Sequence, residues 1–483
     1  MQYMFGFILA AFFGASAYAG VLVSSGDNYL KYNYVKNGCI WQQEFSAFLI
    51  HYLMCDGKMV MRVAGGPHIQ GTPPPGTIVY FDDLNYEKAI NARGAQISKR
   101  SLNNVFSERT LDSNYAPYSD DGLLDRPVIF IEGYDPANQQ SPSSYYQGGV
   151  ENIVVNGRDL FIVNLNSADK SIDENAALLQ QIIQEINGAK NGNHPTAVIG
   201  YSMGGIVARK ALKNMEMAGV NHQTSVYISY DAPHLGANAP LSLQETVDKI
   251  INEIDSKAFG YTPSSLKRAR NIYNSRAARE MLIAGPAYQP ASSASFPINL
   301  ARVAVTSGSM GGVLQSPSVT LNEQVANFRF YISDNKLFSW SITTSFVSKL
   351  RGGAYYDNVP GSYLYQFDET LSELQAGASS FNLYQHSPNK AVTFVPTASA
   401  LAIAGASTTP ARDRFRYYSP FDKYIAVDQS GQSACSIYAS QNSIGSNQRH
   451  DLFHASQLAQ IKCALDEYHR VGFVIPDRSF KSN

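Results

Sequence analysis

TAVIGYSMGGIVARKALKNM, residues 196–215, is the stretch on which the fold turns. TAVI (196–199) is a short continuous apolar run, the pattern of a strand buried on both faces. Gly205–Met215 (GIVARKALKNM) continues at helical spacing. Between them, Gly200-Tyr201-Ser202-Met203-Gly204 puts a serine on a tight strand-to-helix turn. A serine there has strained backbone angles, and side chains at 200 and 204 would collide with neighbouring elements. Glycines remove the collision and leave Oγ standing above a sheet. The helix that follows aims its free N–H groups at the same point, favouring developing negative charge. As a bare string GxSxG arises by chance, and the competing reading is a Gly-rich packing turn. Flanked by a buried strand and an amphipathic helix, it marks Ser202 as a nucleophile.

Outward from this turn the pattern repeats. Val128–Glu132 (VIFIE), Leu160–Val163 (LFIV), Ser225–Tyr230 (SVYISY) and Leu300–Thr306 (LARVAVT) read as further buried strands. Ser171…Glu174 forms a capping box, and Leu178, Leu179, Ile182, Ile183 and Ile186 then make one apolar helical face. Strands separated by such helices imply βαβ crossovers and a mainly parallel central sheet, an α/β fold, from about residue 126 onward. Two insertions interrupt it. Residues of about 240–297 read as helices, Ser242–Ile254 with a capping box at Ser242…Glu245, and Pro263–Ala284. Residues of about 312–390 are Ser-, Tyr- and Gly-rich and show no period. Residues 450–470 end in a helix carrying Leu458, Ile461 and Leu465 on one side. Before 126, residues 20–125 mix short Tyr- and Val-rich runs with turns such as Pro73-Pro74-Pro75-Gly76, a small β-rich or mixed N-terminal domain without a legible role.

Composition sets the class. Charged residues are 16% of the 483 and hydrophobic ones 44%, which excludes a disordered chain, and a net charge of −1 provides no basic field for nucleic acid. Residues 1–19 contain an apolar run, FGFILAAFF (5–13), then Ala17-Tyr18-Ala19, the small-residue spacing of a signal peptidase site. The run is too short to span a bilayer, and no later stretch reaches the ~20 apolar residues a membrane helix needs. The expectation is an exported protein, secreted or periplasmic, with no transmembrane segment in the mature chain. Four cysteines in an exported chain suggest disulfides, with local pairs Cys39–Cys55 and Cys435–Cys463 preferred. None of their spacings resembles a zinc site.

PVIFIEGY (127–134), GYSMGGIVARKAL (200–212) and DAPHLGAN (231–238) together resemble the lipase/esterase branch of the α/β-hydrolase superfamily. FVPTASAL (394–401) is similar to a later loop of such enzymes. The resemblance is firm over about 126–238, thin over 390–470, and absent from residues 20–125 and the insertions. It implies an α/β-hydrolase domain over 126–483 and a serine hydrolase whose chain order is Ser, acid, His. By motif position the backbone N–H groups of Tyr134 and Met203 would form an oxyanion hole. Glu132 stands where such lipases carry His.

The base must be a histidine able to take the Ser202 proton. His450, in a polar loop before the last helix, is where such lipases place theirs. His454 is the alternative, with a competing reading as that helix's N-cap; the two at i, i+4 lack a third metal partner. The acid is open between two residues. Val392 occupies the position four before Pro396 where related lipases have Asp, so Asp231 after SVYISY ranks first and Asp422 second. Ser309, in a second SMGG string (309–312), lacks the strand–turn–helix context. These readings describe an esterase or lipase acting on a small-molecule or lipid ester through an acyl-enzyme. They require no cofactor or metal and allow transient contact with a lipid surface. Amidase, peptidase or acyltransferase chemistry on the same fold is the alternative, and a non-catalytic binding scaffold the third reading.

Overall fold

The computed structural model describes residues 125–136, 149–150, 158–163, 165, 168–257, 270, 272–334, 338–378, 380–404, 412–427 and 446–476, and the backbone of five strands between 29 and 81. Residues 1–19 and Cys435 lie outside the described residues. Strands β1 (Tyr29–Asn33), β2 (Cys39–Glu44), β3 (Ile50–Cys55) and β4 (Lys58–Ala64) form an antiparallel sheet in chain order. β5 (Ile78–Phe81) belongs to a second sheet, with β6 (Pro127–Ile131), β7 (Asp159–Val163), β8 (Thr196–Tyr201), β9 (Thr224–Tyr230) and β10 (Ala301–Thr306). The second insertion and the chain after it carry β11 (Gln324–Asp334), β12 (Phe338–Val347), β13 (Gly361–Leu364), β14 (Ser380–His386) and β15 (Val392–Pro396) before β16 (Lys423–Ala426) returns to the main sheet. The main sheet runs β16-β10-β9-β8-β6-β7-β5, six strands parallel and β5 antiparallel on the edge.

The parallel strands are buried along their whole length where they read as continuous apolar runs, β6, β8, β9 and β10 among them. Helices cover them because parallel strands need crossovers. The described helices are α1 (Ile172–Ala189), α2 (Met203–Met217), α3 (Leu241–Lys257), α4 (Arg276–Met281), α5 (Gln366–Ala376), α6 (Thr397–Ala400), α7 (Arg412–Tyr418) and α8 (Ala455–Tyr468). α1 starts at the Ser171–Glu174 capping box the sequence implies, and Leu179, Ile182, Ile183 and Ile186 are wholly buried on its inner face. Each such side chain contributes about 1.5–3 kcal/mol.

The insertions depart from the sequence reading in three places. α3 begins at Leu241, so Ser242 sits inside the helix and its hydroxyl is buried without a partner rather than capping it. The helix expected over 263–284 is, among the described residues, broken at Ser275, which takes an extended conformation and accepts the Ala278 N–H to start α4. The stretch without a legible period holds a three-stranded antiparallel sheet, β12-β11-β14. Ala326, Phe328 and Phe330 alternate inward from β11 and pack with Phe346, Phe367, Leu371 and the α3 face Val247, Ile250, Ile254. This is a second hydrophobic core, separate from that of the main sheet.

Candidate active site

β8 and β9 are adjacent and parallel, with Tyr201 opposite Tyr230 in register. The residues that follow them, Ser202 and Asp231, therefore emerge side by side at the carboxyl ends of neighbouring strands. Both have left-handed backbone angles, φ 51° at Ser202 and φ 48° at Asp231, a conformation that costs a non-glycine residue about 1–3 kcal/mol. Ser202 is held in it by its N–H donating to the Tyr230 carbonyl at 2.8 Å, and Asp231 by its N–H donating to Val305 at 2.7 Å. The glycines around Ser202 have a steric cause. A Cβ on Gly200 would overlap the backbone of Gly204 and Gly205, and one on Gly204 would overlap the carbonyl oxygens of Glu132 and Ile131. The turn closes only because both are absent.

His450 lies between the two strand-end residues. Its Nε2 is 2.9 Å from Ser202 Oγ and its Nδ1 is 2.7 Å from Asp231 Oδ2. All three residues are buried. This arrangement is that of an Nδ1–H donated to the carboxylate and a lone pair on Nε2 facing the hydroxyl. The other Asp231 oxygen, Oδ1, accepts the Ser307 N–H at 3.0 Å, so the carboxylate is oriented from the end of β10 as well. His450 is fixed by its backbone too: its N–H donates to the Tyr363 carbonyl at 2.9 Å, and its own carbonyl accepts the Tyr201 hydroxyl. Its ring stacks on Tyr201 at 5.4 Å and meets the edge of Phe394 at 4.7 Å.

The loop after β6 abuts the serine: a Cβ on Gly133 would stand 3.2 Å from Ser202 Cβ. Met203 is the first residue of α2, where a backbone N–H has no acceptor within its own helix. Tyr134 follows Gly133 and its hydroxyl is 2.6 Å from Ser275 Oγ; burial pushes that phenol's pKa well up. Glu132 turns toward the neighbouring strand's loop, where Oε1 accepts the Leu165 N–H at 2.6 Å. Its other oxygen is buried without a partner, and desolvation, then repulsion from Asp135, raises its pKa well above the ordinary carboxylate range.

The remaining residues singled out by the sequence stand elsewhere. Asp422 accepts the Arg302 N–H at 2.8 Å and lies 3.5 Å from the Arg302 guanidinium, at the amino-terminal end of β10. Ser307, which touches Asp231, is at the other end of that strand, about 16 Å away at ~3.3 Å per residue. His454 precedes α8 as its N-cap residue, makes no side-chain cap, and leaves Nε2 without a partner; burial lowers its pKa. His234 is buried with Nε2 at 2.8 Å from Ser229 Oγ, and burial, then Arg209, drives its pKa well down. Ser309 accepts the Gly311 N–H at 3.0 Å within its own loop. Tyr363, Phe394 and Ser307 went unread because their roles are backbone or ring contacts from distant strands. Among the described residues no group of three or more His, Cys, Asp or Glu is arranged to hold a metal, and no helix is long and apolar enough to cross a membrane.

Residues 125–275 match the family described as PGAP1-like alpha/beta domain. No curated protein sequence matches the chain. Among solved structures, the chain is similar to the mature form of a Bacillus licheniformis lipase, at 16% identity and TM-score 0.25, over 38% of this chain and 66% of that one. It is also similar to a bromoperoxidase from Bacillus anthracis (13% identity, TM-score 0.24, 39% of this chain and 76% of that one). A third is a putative esterase from Staphylococcus aureus (12% identity, TM-score 0.24, 39% of this chain and 59% of that one). The match spans just under two thirds of the lipase's length. The six-stranded parallel sheet with its crossover helices and the family match give the α/β-hydrolase fold that the resemblance implied.

Proposed function

We propose that this chain is an exported serine hydrolase that cleaves carboxylic esters, with Ser202 as nucleophile, His450 as base and Asp231 as the acid that orients it. The observation that carries the reading is the continuous line Ser202 Oγ–His450 Nε2 at 2.9 Å and His450 Nδ1–Asp231 Oδ2 at 2.7 Å, built on a strained turn. As Oγ attacks the ester carbonyl carbon, His450 Nε2 takes the hydroxyl proton and the imidazolium is stabilised by Asp231. The carbonyl oxygen gains the negative charge and is met by the N–H groups of Met203 and Tyr134 and by the amino end of α2. Collapse expels the alcohol, which leaves with the proton from His450. The acyl-enzyme is then hydrolysed by a water that gives its proton to the same Nε2. The non-catalytic scaffold requires that no carboxylate reach His450 or His454, and Asp231 reaches His450.

The test is a fluorophosphonate probe on the purified mature chain, since such probes form stable adducts only with an activated serine. Labelling maps to Ser202, is lost in Ser202→Ala and His450→Ala, and persists in Ser309→Ala. A folded chain that takes no label at Ser202 overturns the reading. Ester and amide analogues with the same acyl group separate esterase from amidase chemistry, and activity with and without a lipid surface tests transient contact with it. Export is read from residues 1–19, with Gly20 as the expected mature N-terminus. Cys39 and Cys55 are backbone partners in the β2–β3 register, which supports their local pairing. The second proposed pair is Cys435–Cys463.

A further inference from the structure

We infer that the Tyr134 side chain is a positioning residue: its hydroxyl moors the loop after β6 to the start of α4 and so fixes the backbone N–H groups beside Ser202. The inference rests on the hydrolase reading and deepens it.

Two observations converge on the pair. The first is where the loop after β6 places Tyr134. Gly133 lies against Ser202 and carries no side chain, and Glu132 points away to Leu165. Tyr134 is the next residue, and its hydroxyl reaches Ser275 Oγ at 2.6 Å, 141 positions along the chain. Its ring packs against both the main core and the small cluster of Ala237, Ala239, Ala278 and Leu282.

The second is that α4 is a fixed post. Ser275 is its N-cap, accepting the Ala278 N–H at 3.0 Å. Glu280 on α4 accepts the Ile172 N–H at the start of α1 at 2.9 Å, and the Ala277 N–H donates to the Asp169 carbonyl at 3.3 Å. The carbonyl of Met281 accepts the Ala237 N–H at 2.9 Å, on the loop that follows β9. A short helix tied to the loops before α1 and after β9 transmits their rigidity to whatever it holds. With a hydroxyl that already accepts the cap N–H, Ser275 has its proton and one lone pair left for Tyr134.

An oxyanion donor helps only when it sits at hydrogen-bond distance from where the charge develops, and displacement by an ångström costs up to about a hundredfold in rate. The mooring therefore bears on the transition state and leaves ground-state binding alone. Tyr134→Phe keeps the ring and removes only the hydroxyl. Ser275→Gly removes the partner while retaining a residue that N-caps nearly as well. Ser275→Thr keeps both hydroxyl roles.

The experiment measures ester turnover, fluorophosphonate labelling rate and backbone hydrogen exchange over residues 127–136 in the full chain and these variants. Tyr134→Phe and Ser275→Gly each lower kcat about ten- to a hundredfold with KM unchanged, and the double variant is no slower than either single one. Exchange over 127–136 quickens in both, and Ser275→Thr restores kcat and exchange together. Unchanged exchange in Tyr134→Phe overturns the mooring, whether or not the chain turns over esters. Quickened exchange with unchanged kcat shows a tie with no bearing on catalysis and overturns the positioning role. A wild-type chain that takes no label is a separate failure, that of the hydrolase reading.

Discussion

Asp231 and Asp422 are both buried carboxylates that accept backbone N–H groups, yet they stand at opposite ends of β10 and have different consequences. In Asp231→Asn the amide oxygen stays on the Ser307 N–H and the NH2 group faces His450 Nδ1, which selects the wrong tautomer, so kcat falls on the order of 10³- to 10⁴-fold while the chain stays folded. Asp422→Asn leaves turnover intact and lowers stability by about 1–3 kcal/mol, because the Arg302 guanidinium loses its counter-ion. Turnover and urea midpoints of the two variants separate the roles, and equal loss of turnover in both would remove Asp231 from the site. Glu132 yields a pH effect. Its pKa is raised in the folded chain, so the folded state binds the proton more tightly than the unfolded one. Its contribution therefore falls as pH rises above about 4.5, the usual unfolded value, until the folded pKa is passed. Glu132→Gln removes that slope: relative to wild type the variant gains stability from pH 4 toward pH 8 in urea titrations. A difference that is flat across that range would mean that the carboxyl is not held neutral. Ser202 was legible because its turn is local, a serine ringed by the glycines that let it close. Asp231 ranked first only narrowly, since nothing in the sequence tells that Ser307 would orient it.

At the scale of elements, the glycines of the turn differ from glycines that only loosen a helix. Gly204 faces the carbonyl oxygens at the end of β6, whereas a Cβ on Gly188 in α1 meets nothing within 4 Å. Gly188→Ala is expected to stabilise the chain by up to about 1 kcal/mol through the unfolded state. Gly204→Ala pushes α2 off β6 and costs about 1–3 kcal/mol or more, together with most labelling of Ser202. Denaturant midpoints on both decide the matter, and a benign Gly204→Ala would show that α2 is free to shift. Local signals also found α1, with its capping box, and α8, with its apolar side. They found α3 as well, short of its full length, and failed over 312–390, where β11 buries its face against α3 and α5, a pairing that no window of sequence contains. The capping box at Ser242 was a coincidence of spacing inside a helix whose start is set by Pro240, whose carbonyl accepts the Leu243 N–H.

The main sheet and the insertion have separate hydrophobic cores, and at the scale of the molecule they meet through the small cluster of Ala237, Ala239, Ala278 and Leu282, flanked by Tyr134 and Tyr273, and through a polar network beside it. Asn238, just beyond β9, donates its side-chain amide to Asp357 Oδ1 and to the Thr393 carbonyl, both at 3.0 Å, and its backbone N–H to Phe394 at 2.7 Å. Ser348 donates to the other Asp357 oxygen at 3.1 Å, and the Arg351 charge also favours the ionised carboxylate. Phe394 in turn bears on the His450 ring, and Tyr363 on β13 holds its backbone, so the base is positioned by the insertion side of this joint. That explains why His450 was readable only by resemblance: the residues that fix it lie in, or beside, the stretch without a pattern. Asn238→Ala takes one donor from Asp357 in a buried place, a loss of about 1–3 kcal/mol. Burial already raises the Asp357 pKa, and losing a donor raises it further. The folded chain then holds the proton over a wider range, so stability keeps falling with rising pH where the wild type has levelled off. The deficit of Asn238→Ala in urea unfolding is therefore smaller near pH 4, where a protonated carboxyl needs fewer donors, than near pH 8. Labelling of Ser202 slows in parallel, as Phe394 and then His450 loosen. A deficit equal at both pH values would mean that Asp357 is not the group left short.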